Sequence, residues 1–182
     1  MKDFPLLSMA DYLQIFNPHS YTLNPYAIPS FIVGTLVLIF GFLIRSLERK
    51  SYLNRSFLYL CVSYGVWLYA YSLVLNSQHG AVALFWSRIL YIGLILVPIN
   101  IFHVTVHFTE SYPQERSFIR GIYVTAFVFI ILMGSTLLLS GVREYFWGFY
   151  PEAGRLHPIL LLFIFSVPLL GFVKLISHYR SL

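Results

Sequence analysis

The sequence predicts an all-α polytopic membrane bundle of about five transmembrane helices, with the N-terminus outside and the C-terminus cytoplasmic. Three observations lead there. Apolar stretches at 27–44, 57–75, 81–108, 121–142 and 158–173 occupy most of the 182 residues. Each reaches or approaches the roughly 20 residues that a helix needs to cross a hydrocarbon core about 30 Å thick. Charged residues make up only 10% of the chain, against about 25% in soluble domains. Finally, the basic residues are segregated. Arg45, Arg49, Lys50, Arg55, Arg116, Arg120, Lys174 and Arg180 fall on one side of the apolar stretches, whereas Lys2, Arg143 and Arg155 fall on the other. Positive residues favour the cytoplasmic side, which sets the orientation.

Lipid offers no partner for backbone N–H and C=O groups, so a crossing is either a helix or a strand of a closed barrel. The runs 31–40 and 159–165 do not alternate apolar with polar, so the crossings are read as helices. Residues 1–26 are expected to form an extracytoplasmic segment and 27–182 the bundle, with helices near 27–44, 57–75, 81–108, 121–142 and 158–178. Residues 1–30 lack a basic n-region followed by an apolar h-region, so the first crossing is expected to be the targeting signal. Leu6, Met9, Leu13 and Phe16 have helical spacing. With no Lys or Arg on the polar side, a cap packed on the bundle is favoured over an interfacial helix. Residues 76–80 read as a tight turn. Residues 143–157 read as an aromatic-rich loop, an aromatic belt at headgroup level or, in the alternative, a folded lid over the outer mouth.

The third stretch carries the candidate chemistry. Arg88 is the one charge well inside an apolar segment, where it costs at least a few kcal/mol unless it snorkels or pairs. It reads either as a snorkelling anchor beside Trp86 or as an inward-facing group that binds an anionic ligand or pairs with Glu144. Lower down, Asn100, His103 and His107 share one arc of the helix, below Pro98, which removes one backbone hydrogen bond. An interhelical hydrogen-bond network is favoured there over a metal or haem site. Two His at i and i+4 need further ligands, and His157 and His178, at the ends of the fifth helix, do not match the depth of His103. Tyr64, Trp67 and Tyr71 form a stripe on the second helix that reads as packing rather than an aromatic pocket. Gly65, Ser72, Gly134, Ser135 and Gly171 are expected at close helix crossings, and Pro168 at a bend. The single cysteine, Cys61, reads as a small buried apolar residue.

Several functions are disfavoured. The GxxxxGK[ST], GxSxG, HExxH and DFG patterns do not occur, and no acidic residue lies in the middle of a crossing. Catalysis by the chain itself, a bound metal or cofactor, and a nucleic-acid partner despite the net charge of +5 are therefore not expected. Without a repeat of 20–50 residues or matching halves, arrays and inverted-repeat transporters are also disfavoured.

The order of features then resembles a known family. The stretch FNPHSYTLNPYAIPSFIVGTLVLIFGF is followed by a basic loop, a Trp-bearing helix, FWSRILYIGLILVPINIFHVTVHFT and REYFWGFYPEAGRLHP. This resembles the N-terminal seven-helix membrane region of bacterial histidine kinases and related signalling proteins. The family's features would fall on Arg88, Tyr91 with Gly93, Pro98 and His103, and in the outer loop on Trp147, Gly148, Tyr150 and Gly154. The resemblance implies a sensory input module in the bacterial inner membrane. Its partners would be the bilayer and a cytoplasmic signalling domain or other membrane subunits, and a homodimer is compatible with it. Arg88, Asn100, His103, His107, Trp147 and Tyr150 become the candidate ligand-binding or signalling residues. The family has about seven crossings where five are read here, and no phospho-accepting His or ATP-binding box follows, so kinase activity is not transferred. The alternative is a structural or cofactor-holding subunit of a larger membrane complex.

Overall fold

A computed structural model describes residues 13–181. Five long helices run between two ends of one bundle: α1 (Ile28–Leu47), α2 (Tyr52–Asn76), α3 (Gly80–Phe108), α4 (Tyr112–Leu132) and α5 (His157–Ser181). Two strands, β1 (Leu139–Tyr145) and β2 (Gly148–Ala153), lie between α4 and α5 and pair as an antiparallel hairpin. The fold class is the one the composition predicts, with the hairpin as an addition at one end. Of the helical cap expected around Leu6–Phe16, residues 6–12 lie outside the described residues, and residues 13–15 are helical.

By length and composition, α2, α3, Pro25–Leu47 and His157–Arg180 qualify as membrane spans. α4 differs because Glu115, Arg116 and Arg120 occupy its first turns, leaving a shorter apolar remainder. It nevertheless returns the chain through the bundle: Tyr112 stacks on His107 at one end, and Phe129 meets Phe163 of α5 toward the other.

α3 is the central rod. Over half of its most apolar window (56%) is buried in the protein, against 17% for the first and last spans. α2, α4, α5 and both strands all contact α3. In lipid the apolar surfaces gain little from leaving their solvent, so helices associate through close van der Waals packing and interhelical hydrogen bonds. Small residues therefore set the spacing. Gly93 of α3 lies against the α2 backbone, so that a Cβ added there would sit 2.6 Å from the Trp67 nitrogen and 3.0 Å from the Ser63 carbonyl oxygen. Gly65 of α2 receives Leu38 of α1, and Gly41 of α1 receives Cys61. Gly171 of α5 packs beside Thr105 and Phe102 of α3. Gly65 and Gly171 thus stand at close crossings, as the sequence predicts, and Cys61 is buried. Trp67 and Tyr71 pack on the core, in keeping with the packing reading of their stripe.

The fourth segment departs from its expected bounds of 121–142. The helix begins at Tyr112, with Pro113 in its first turn, and stops at Leu132. Met133–Ser135 form a turn in which the Ser135 hydroxyl donates to the Leu132 carbonyl (2.7 Å) and accepts from the Leu137 amide (3.3 Å). Gly134 and Ser135 consequently mark a chain reversal rather than a helix crossing. Beyond them Leu138, Leu139 and Val142 remain buried, so the apolar run continues while its conformation changes to strand. At the other end, α2 starts five residues before the expected Phe57, where Ser51 accepts a hydrogen bond from the Asn54 amide (3.2 Å) as N-cap.

The close approach at Gly93 generates a prediction. Gly93→Val should lower thermal stability in nanodiscs by at least the roughly 1–3 kcal/mol typical of overpacking, because its nearest neighbours are backbone atoms. Gly121→Ala, with open space around the added carbon, should leave stability unchanged or slightly raised. Melting followed by tryptophan fluorescence checks both.

Candidate functional site

The six candidate residues divide between the two ends of the bundle. Asn100, His103 and His107 sit toward the end where α1 finishes and α2 begins; Arg88, Trp147 and Tyr150 sit at the hairpin end.

At the first end, Asn100 is buried. Its side-chain amide donates to the Ser63 hydroxyl at 2.8 Å and to the Tyr59 carbonyl at 3.4 Å, and Ser63 itself donates to that carbonyl at 2.9 Å. This is an interhelical network joining α3 to α2. One turn on, His103 is half-buried and meets Tyr123 of α4 edge-on, with ring centroids 5.4 Å apart. Its Nε2 is buried without a protein hydrogen-bond partner. His107 is stacked between Tyr112 of α4 at 4.7 Å and Tyr52 of α2 at 6.0 Å, nearly parallel to both. The guanidinium of Arg55 lies over the ring of Tyr52, 4.9 Å from its centroid, a cation–π contact. A ladder of four planar groups therefore ties three helices together at this end. The two imidazoles are 6.0 Å apart and turned 78° from one another. Among the described residues, no group of three or more His, Cys, Asp or Glu is placed to hold a metal ion.

At the hairpin end, the segment read as an aromatic loop is folded. β1 and β2 pack on the ends of α2 and α3, and the turn at Gly148 has a φ of +123°, which favours glycine. The ring of Trp147 stacks on Tyr145 at 4.7 Å, while Phe146 at the tip is exposed and meets Tyr26 edge-on. Arg143 and Glu152 form an ion pair of 2.5 Å across the strands. Tyr150 on β2 is exposed, and its ring meets Tyr145 edge-on with centroids 6.5 Å apart. Arg88 is half-buried, with Nε enclosed and without a protein hydrogen-bond partner. It makes no ion pair with Glu144, which is exposed on β1.

Two ties are not evident from sequence patterns. Asn24, before the first helix, donates through its side-chain amide to the Leu75 carbonyl (2.8 Å) and the Trp147 carbonyl (2.7 Å). Its own amide donates to the Asn76 side chain at 2.8 Å. One residue thereby clamps the N-terminal segment, the α2 terminus and the hairpin turn. Its Asn-Pro pairing signals a turn, but not the partners. Trp86 likewise donates from Nε1 to the Tyr21 hydroxyl at 2.8 Å. At the opposite end Lys174 of α5 meets Glu115 of α4 at 2.6 Å, both partly shielded. They border an open cavity of about 380 Å³ also lined by Phe102, Phe118 and Leu170.

Residues 26–181 match the family described as the N-terminal 7TM region of histidine kinase. The chain belongs to this family. No curated protein and no solved structure matches it significantly. Membership of this histidine kinase 7TM family makes the chain a multi-pass membrane sensory region of the bacterial inner membrane, an input module associated with a cytoplasmic signalling domain.

Removing the Asn24 side chain orphans one carbonyl at the hairpin turn and one at the end of α2, each worth about 1–3 kcal/mol if left unsatisfied. Asn24→Ala should therefore speed amide hydrogen exchange across residues 139–153 at least about tenfold, and leave the middle of α3 protected. Asn100→Ala should cost about 0.6–1.7 kcal/mol, the range for interhelical bonds in membranes, measured by reversible unfolding in mixed micelles.

Proposed function

We propose that this 7TM-family chain receives a stimulus at its hairpin end and passes it, through α3 and α5, to a cytoplasmic output such as a histidine kinase. The family match over residues 26–181 carries the reading. The basic end, with Arg45, Arg55, Arg116, Arg120 and Arg180, faces the cytoplasm; the hairpin and the N-terminal segment face outward. Five helices cross the membrane, α4 included.

The mechanism needs two bundle arrangements that differ in affinity for the stimulus. Arg88, Trp147 and Tyr150 belong to the receiving end, and Asn100, His103 and His107 to the relay. α5 connects them physically. It begins beside Tyr91 and reaches the Lys174–Glu115 pair, which holds it to α4. Apart from that pair, α5 packs chiefly on α3, which leaves it one principal surface to move along.

Two outcomes test this reading. With the chain joined to its native or a grafted kinase output, Lys174→Glu should change basal autophosphorylation several-fold, and the swap Lys174→Glu with Glu115→Lys should return it toward wild type. Signalling that is indifferent to the single change, and to alanine at all six candidate residues together, refutes the relay. For orientation, cysteine placed at Ser140 should react with a membrane-impermeant maleimide in intact cells. Cysteine placed at Ser46 should react only after permeabilisation.

A further inference from the structure

Two of the buried polar atoms that lack a protein partner belong to neighbours of Tyr91. Its ring meets His157 edge-on, with centroids 5.6 Å apart. The Nδ1 of His157 is buried and unpartnered, as is the Nε of Arg88. Arg88 precedes Tyr91 by three residues on α3, so the two side chains are neighbours on one helix face, about 5–6 Å apart at Cβ. Tyr91 is itself 6% exposed, and its hydroxyl makes no protein hydrogen bond. α3 and α5 thus bring a guanidinium, an imidazole and a phenol to the hairpin end of the bundle.

Buried polar groups are ordinarily satisfied, and an enclosed guanidinium nitrogen, such as Arg88 Nε, is costly to leave unpaired. The acids nearest in sequence are committed elsewhere: Glu152 pairs with Arg143, and Glu144 is exposed. The first amides of α5 are also in use, since His157 donates to Gly154 and both Ile159 and Leu160 donate to Leu156. The helix therefore adds only its positive end charge, and the free donors are side chains. All of them suit an acceptor of negative charge. A planar guanidinium matches the paired oxygens of a carboxylate or phosphate, and a phenol and a neutral imidazole can each donate one further bond.

We propose that Arg88, Tyr91 and His157 bind a carboxylate or phosphate group at the hairpin end of the bundle. The inference rests on the sensory reading only in naming this the receiving end. One chemistry has two sources here, a small anion from solution or the phosphate of a lipid headgroup.

The test uses the full chain in dodecyl maltoside, which has no anionic group. Acetate and inorganic phosphate, each against chloride at equal ionic strength, are titrated while melting is followed by tryptophan fluorescence. A saturable rise in melting temperature with either anion, weakened at least about tenfold by Arg88→Gln and severalfold by His157→Gln or Tyr91→Phe, supports the site with a soluble source. A rise with added phospholipid but not with the small anions, lost in the same variants, supports it with a lipid source. If wild type responds to neither, or if His157→Gln responds as strongly as wild type, the proposal fails; the His157 variant decides should Arg88→Gln not fold. Because binding is measured without any kinase output, its failure leaves the autophosphorylation test of the sensory reading intact.

Discussion

The arrangement of this bundle depends on how closely α3 approaches α2. At Gly93 there is room for a hydrogen atom and no more between the α3 backbone and the α2 backbone at Ser63–Trp67. That approach brings Asn100 within reach of Ser63, and it leaves the rest of the α3 circumference to α4, α5 and the hairpin. In a solvent that does not drive apolar surfaces together, contact at this range is what dispersion and a hydrogen bond require. A bulkier residue at position 93 would separate the two helices and weaken every contact that uses α3 as its reference.

Polar chemistry is confined to the two ends of the central rod. One end has a stacked ladder of His107, Tyr112, Tyr52 and Arg55 that ties helices to one another. The other has donors around Tyr91 that are not consumed by the protein. The first spends most of its groups on structure, His103 Nε2 apart, whereas the second leaves both Arg88 Nε and His157 Nδ1 unpartnered.

Most of the helices are legible in the sequence because lipid-spanning segments need unbroken apolar runs, which leave a strong trace. The fourth is not, because Leu137–Leu139 continue the run past Gly134 and Ser135, and apolarity alone does not distinguish a strand buried against the bundle from the next turn of a helix. The start of α2 is hidden by the polar residues Asn54 and Arg55 in its first turn. Among site residues, Asn100 declares itself, since an amide in a crossing needs a partner on another helix. Asn24 does not: its partners are 51 and 123 residues away, and only the folded chain brings them to it. His157 is hard to single out when its depth is compared with that of His103, although its neighbour across the helix interface is Tyr91.

The length of α5 has a mechanical consequence. Its 25 residues make a rod about 37 Å long at 1.5 Å per residue, pivoted where His157 sits among the hairpin-end donors. A tilt of roughly 3° about that pivot moves the far end by about 2 Å over such a length. That is the size of shift by which packed helices change partners at an interface. At Lys174, about 25 Å from the pivot, the same tilt amounts to about 1.3 Å, so any tilt beside His157 would be magnified before it reached the Lys174–Glu115 contact.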